Sequence, residues 1–239
     1  MADPSLVQKG ATDEQFGNVG PSLAGSTAGN FLVATYVWIS ANATPTLPAG
    51  WTSRGSITQV CFANASFFMG ITEVYKANIA GGPVSAATLD FTGSTTVAQG
   101  WIEEWHDVVT VSPFDSGGSN TASNANSNSP AVTGAGNTAQ ASNLIRATTG
   151  VDGLNASTNV VISHPPSGGA AFTDAYNWQD ATAKACGDSG YKSVNGIATY
   201  SASWTKSVAG EFVAMLSVYK GVGGAGGGGS DQMILLLAA

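Results

Sequence analysis

Charge is what this chain has least of. Asp, Glu, Lys and Arg make up only 10% of its 239 residues, against roughly 25% in ordinary soluble domains. Eight Lys and Arg face fifteen Asp and Glu, for a net charge of −7. No cationic field exists to gather phosphates, so nucleic acid is not an expected partner. With two cysteines there is no disulfide framework; Cys61 and Cys186 stand far apart and read as free, buried thiols. Two histidines leave little for metal or base chemistry, and His164, in VISHPP, has no HxH or HExxH companion to make a zinc motif. No apolar run approaches the roughly 18 residues that span a bilayer, so membrane insertion is not expected. The opening MADPSLVQKGATDEQ lacks a basic segment followed by an apolar one, and no secretory leader is expected. Helical periodicity is missing as well: no long stretch keeps apolar residues at i, i+3, i+4 and i+7.

What is present is core-forming. The chain is 43% hydrophobic, enough for a substantial interior, and Ser, Thr, Asn and Gly stand where charges would otherwise be. Short β-rich runs recur between glycine and asparagine clusters. The clearest are SLVQKG (5–10), NFLVATYVWIS (30–40), ASFFMGITEVYKA (65–77), AATLDFTG (86–93), VAQGWIEEWHDV (97–108), LIRATTGV (144–151), VVISHP (160–165), NGIATYSASW (195–204) and AGEFVAMLSVYKG (209–221). In the second run Phe31, Val33, Thr35, Val37 and Ile39 share one face, and Leu32, Ala34, Tyr36 and Trp38 the other. In the third, Phe67, Met69, Ile71 and Glu73 alternate with Phe68, Gly70, Thr72 and Val74. Strands with large residues on both faces belong between two layers. The expectation is an all-β chain: one antiparallel sandwich over residues 5–221, an N-terminal arm over 1–4, and a glycine-rich tether with an apolar end over 222–239. The tract SGGSNTASNANSNSP (116–130) reads as a long surface loop.

The order TAGNFLVATYVWI, LPAGWTSRG, ITEVYKANIAGG, WIEEWHDVVTVSPFD, NLIRATTG and SVAGEFVAMLSVYKG resembles a group of jelly-roll-like β-sandwich modules found in tailed-phage virion proteins and bacterial surface proteins. The likeness covers about residues 5–221. It implies a non-enzymatic structural subunit of a virion surface, assembled in the host cytoplasm: a capsid decoration (cement) protein or a fibre subunit. Its partners would be copies of itself and phage capsid or tail proteins. The alternative it leaves open is a receptor- or glycan-binding module, at a tail-fibre tip or in a secreted carbohydrate-binding domain. Trp101, Trp105 and Trp178 are the aromatic rings on which a host-surface glycan would stack. Trp51, in PAGWT, reads chiefly as a core plug.

Catalytic patterns are few. WIEEWHDVV (101–109) crowds Glu103, Glu104, His106 and Asp107 around Trp105, a pattern that invites comparison with the acid pair of a glycosidase. Adjacent residues of a strand point to opposite faces, however, so Glu103 and Glu104 cannot flank one bond. No G-x-S-x-G elbow appears, and GGAGGGGS is followed by no Lys-Ser or Lys-Thr pair, which excludes a phosphate loop. Asp174, Asp180 and Asp188, with Asn177 nearby, sit in loop-like sequence and offer calcium-like oxygen donors, without the close D-x-D-x-D-G spacing. With no leader expected, the sequons at Asn42, Asn64 and Asn155 read as chance matches. No enzyme activity, cofactor or metal is expected. The end of the chain, Met233, Ile234, Leu235, Leu236 and Leu237 after a glycine run, reads as an anchor that docks on a neighbouring subunit.

Overall fold

Alternation of large side chains on both faces makes the central strands, and the Gly, Asn and Pro clusters end them. In a computed structural model that describes residues 2–11, 15–61, 66–93, 96–152, 160–169, 171–180 and 185–224, the chain is all-β apart from one short 3₁₀ turn, Val222–Gly224. The first half contributes β1 (Ser5–Ala11), β2 (Gln15–Phe16), β3 (Phe31–Ser40), β4 (Thr52–Cys61), β5 (Phe67–Lys76) and β6 (Thr96–His106). The second contributes β7 (Asn120–Ser127), β8 (Ala131–Thr133), β9 (Ser142–Asp152), β10 (Thr173–Asp180), β11 (Ala185–Asn195), β12 (Ser201–Ser203) and β13 (Gly210–Lys220). One antiparallel sheet runs β1-β6-β3-β5-β4, with β2 also on β6; the other runs β10-β11-β9-β13-β7; β8 and β12 pair by themselves.

The expected all-β sandwich is therefore present. Its strand order gives no support to a jelly-roll description, because each sheet is drawn from one contiguous half of the chain. The halves instead repeat one topology. Numbering the five long strands of each half in chain order, both sheets read first-fifth-second-fourth-third. The registers agree too. Phe31 faces Trp105 where Leu144 faces Tyr219, and Val33 faces Tyr75 where Arg146 faces Tyr191. Even the bulge repeats: it falls between Ser53 and Gly55 in β4 and between Asp174 and Tyr176 in β10. Across the sandwich the aromatic contacts exchange as a two-fold relation demands, Tyr75 on Tyr219 at 5.6 Å and the equivalent Tyr191 on Trp105 at 4.8 Å, both edge-on.

The central strands of each sheet are buried on both sides. Between the sheets lie Val37, Ile39, Met69, Ile71, Trp101, Val213 and Met215 at one end, and Phe31, Val33, Trp105, Leu144 and Tyr219 at the other. The outer face of the first sheet, Leu32, Ala34, Tyr36 and Trp38, is covered by Val19, Leu23, Leu89 and Phe91 from the loops; the second is covered by Val160, Ile162, Phe172 and Trp204. Gly70 is required there, since a Cβ would overlap the Trp38 ring. The 116–130 tract is not a loop: Asn120–Ser127 pairs with β13 as an edge strand. Asp3 and Pro4, expected to project as an arm, lie on the body instead. Ser142 Oγ donates to Asp3 Oδ1 at 2.8 Å, and Pro4 is buried with its carbonyl accepting from Ser193.

Candidate functional site

β6 carries the densest group of ionisable residues, and the pleat sends Glu103 and Glu104 to opposite faces as the alternation required. Glu103 points between the sheets, where Arg146 of β9 grips it with two parallel bonds, Nε to Oε2 at 2.9 Å and Nη2 to Oε1 at 3.0 Å. The other end of the guanidinium pairs with Glu73 of β5 and donates to Thr35 Oγ1 at 2.9 Å. Trp105 Nε1 donates to Glu103 at 2.9 Å and Tyr219 to Glu73 at 2.8 Å. All of these residues are buried. Burial alone would favour a neutral Arg146, but the two carboxylates outweigh it and raise its pKa further, while burial first, then Glu73, raises that of Tyr219. A fully paired buried network of this kind joins the two sheets in one register; its acids are saturated with donors and out of reach of a substrate.

Glu104 faces outward but is just as enclosed. It accepts from the Thr27 amide and from Asn30 Nδ2, each at 2.7 Å, and from Gln8. Burial pushes its carboxyl up, and these donors outweigh burial and hold it below the usual range. What remains of the motif is a surface pair, His106 Nδ1 to Asp107 Oδ2 at 2.7 Å.

The tryptophans expected as sugar platforms are corrected by their burial. Trp101, Trp105 and Trp178 are 2%, 0% and 6% exposed. Trp101 stacks on Tyr176 at 5.3 Å, Trp105 is edge-on to Tyr191, and Trp178 packs with the inter-sheet core. Trp101 and Trp178 line small cavities, but none of the three is exposed enough to carry a sugar ring. The tryptophan that borders a wider groove is Trp51, read from sequence chiefly as a core plug. Half-buried, it borders a groove of about 590 Å³ with Gly50, Lys76, Asn78 and Ser85, and Lys76 Nζ sits 4.9 Å from its ring centre. Gly50 holds φ +74° in the turn before β4; the Trp51 ring packs in part against the outer core of the first sheet, as the plug reading expected, and its remaining surface faces the groove.

A second buried charged group gathers around Lys206. Lys206 Nζ donates to the main-chain carbonyls of Asp152 at 2.6 Å and Glu211 at 3.0 Å. Burial, then contact with Glu211, pushes the Asp152 carboxyl up to about 8, and burial lowers Lys206. Cys61 and Cys186 are free and buried, as read from the sequence; burial pushes the Cys186 thiol up to about 12, which makes it a poor nucleophile. Of the three aspartates weighed for calcium, Asp180 ends β10 while Asp174 and Asp188 lie on neighbouring strands, and burial pushes Asp188 up to about 7. Met233 to Leu237 fall outside the described residues. No family model, curated protein or solved structure matches the chain.

Proposed function

We propose that the protein is a non-enzymatic structural subunit of a virion surface, a capsid decoration or fibre component that binds copies of itself and the capsid or tail proteins beside it. The observation that carries the reading is the state of Glu103 and Glu104. The acids of the one catalytic-looking motif are both immobilised, one in the inter-sheet network with Arg146 and one under Thr27 and Asn30, so the motif acts as scaffold. The surface, poor in charge and rich in Ser, Thr and Asn, suits close packing in a lattice, where few ions must be stripped of water. The order of the sequence motifs supplies the virion context. Incubation with empty capsids, with tails and with host cells, alongside sedimentation, tests it. Saturable binding to the particle by an oligomer is expected. A monomer that ignores particles, or a polysaccharide hydrolase inactivated by Glu104→Gln with its fold intact, would overturn it.

A second reading is favoured by the groove at Trp51. A half-exposed indole beside Lys76, with backbone and Ser and Asn groups on the rim, has the aromatic platform and polar edge that glycan recognition uses. Retention on host-surface glycan that is abolished in Trp51→Ala, with no binding to particles, would place the protein in that class.

A further inference from the structure

The second half carries a side-chain cluster that its repeat lacks. His164 lies in the loop before β10, Asp174 on β10 and Asp188 on β11. Asp174 faces Gly190 and Asn177 faces Asp188 in the ladder, so both aspartates project to the same outer side of the sheet. One donor atom from each of His164, Asp174 and Asp188 lies within 4.8 Å of the others, and His164 Nδ1 is 3.9 Å from Asp174 Oδ2. Asp188 is fully buried. Its Oδ2 accepts the indole N–H of Trp204 at 2.6 Å, while Oδ1 has no hydrogen-bond partner among the described residues. A buried carboxylate oxygen without a partner is unfavourable and is free to take a ligand.

The repeat shows that the fold itself does not need this carboxylate. By register the counterpart of Asp188 is Thr72 and that of Asp174 is Ser53. Thr72 performs the same packing task, accepting the Trp38 indole N–H at 3.1 Å, and its hydroxyl is also 3.0 Å from Ser56 Oγ. A neutral hydroxyl at this place thus suffices to hold a buried indole N–H. In the second half the same place holds a carboxylate, with a donor atom of a second carboxylate and one of an imidazole within 4.8 Å of one of its oxygens.

We propose that His164, Asp174 and Asp188 bind a divalent transition metal of the zinc class. One imidazole nitrogen with two carboxylates selects against calcium and magnesium, which take oxygen alone. Three protein ligands leave a fourth position for water or for a group from a partner. Tetrahedral coordination at bond lengths of about 2.0–2.2 Å brings donor atoms to roughly 3.4 Å of one another. His164 and Asp174 are half-exposed, 48% and 47%, so their rotamers close the gap while Asp188 stays fixed. Trp204 orients that fixed ligand from behind, the role outer hydrogen bonds play at metal sites. The ion would clip the 160–169 segment to β10 and β11, beside the small cavity of about 100 Å³ that His164 lines with Asn177 and Trp178.

The test uses the full chain, stripped with a chelator, dialysed and titrated calorimetrically with zinc chloride, then with calcium chloride. One zinc per chain is expected, with a higher melting temperature. Asp174→Ser, which installs the residue of the repeat, and His164→Ala should each weaken binding at least about 10-fold with an unchanged circular dichroism spectrum; both lie on the surface, so folding is preserved. The absence of saturable zinc binding, affinity unchanged in both variants, or tighter binding of calcium than zinc would overturn the assignment.

Discussion

In the first half Lys76 lies over Trp51 at the edge of an open groove; in the second, the equivalent Lys192 lies 4.1 Å from the Phe172 ring centre, also meets Tyr200, and donates to the Gly168 carbonyl at 2.5 Å, with Lys192 and Phe172 both buried. The strands are superposable in register, yet one copy ends in a groove and the other in a sealed core. A similar contrast holds at the bulge. Arg54 reaches across to Ser217 Oγ at 2.9 Å and to the Leu216 carbonyl at 2.8 Å, whereas its counterpart Ala175 leaves a cavity of about 200 Å³ lined by Lys9, Gly10, Trp101 and Tyr176. The difference teaches that strand register is the shared part of the design and that individuality enters where loops cover the sheets and at single side chains. Function is to be sought in those departures from the repeat.

The largest effect should come from the least symmetric buried residue. Arg146 stands where the first half has Val33. Arg146→Val leaves Glu73 and Glu103 buried without a counter-charge and is expected to cost about 3–5 kcal/mol, a fall in melting temperature of about 6–20 °C for a chain of this size. Replacing all three together, Arg146→Val with Glu73→Leu and Glu103→Leu, is expected to recover most of that loss, because a well-packed apolar layer often equals a buried ion pair. Thermal unfolding of the two variants decides it. A triple variant no better than the single one would show that the network contributes more than mutual compensation.

That residue also marks how far the sequence could be read. The two-faced central strands were legible, since Phe31 to Ile39 and Phe67 to Val74 alternate large side chains on both sides, and they lie between layers as that pattern demands. The polar strands were not, although the edge strand β1 was read from SLVQKG. β7, NTASNANS, β4 and the β10–β11 pair hold Asn, Asp, Ser and Gly, residues depleted in strands, and their pairing comes from neighbours rather than from an apolar rhythm of their own. The repeat was hidden because only short words, NFLVAT with NLIRAT and VYKA with GYKS, survive in both halves. Arg146 did offer a signal: one arginine in the apolar run LIRATTGV needs buried acids, and Glu73 and Glu103 are on strands with that same two-faced pattern. The tryptophans misled because a ring in a strand looks identical in sequence whether it faces solvent or another sheet.

The aromatic pair sharpens the contrast between open and sealed copies. Phe172→Ala removes a fully enclosed ring and is expected to cost about 3–5 kcal/mol. Trp51→Ala removes a larger ring that is only half covered, and should cost about 1–2 kcal/mol. Equal losses in denaturant titration would mean that the groove is closed in solution.

A pH series separates the halves by charge. Asp152 and Glu211 occupy the places of Ile39 and Val97. The Asp152 carboxyl is raised in the folded state to about 8, above its unfolded value of about 3.9. Its contribution to stability is therefore fully present below about pH 4 and is lost as pH rises to about 8, with a slope of at most about 1.4 kcal/mol per pH unit. Asp152→Asn should flatten the stability profile between pH 5 and 8, measured by urea unfolding. An unchanged slope in the variant would assign the dependence to another group.

The smallest effect concerns the two lysines themselves. Lys76 and Trp51 form a half-exposed cation–π pair, for which about 0.5–1 kcal/mol is usual, and water replaces the lost charge in Lys76→Met. Lys192 is enclosed, and burial lowers its pKa. Methionine there keeps an apolar stem against Phe172 and Tyr200 and removes the burden of a desolvated charge, but it leaves the Gly168 carbonyl without the Lys192 donor, a loss of about 1–3 kcal/mol. Lys192→Met is thus expected to destabilise the fold more than Lys76→Met, while only Lys76→Met should alter the electrostatic character of the groove and any binding of an anionic glycan there. Denaturant titrations of both variants at pH 7, with glycan retention measured on the same samples, test the pairing. If Lys76→Met proves the more damaging, the lysine at the groove is structural, and the first half is no more open to a ligand than the second.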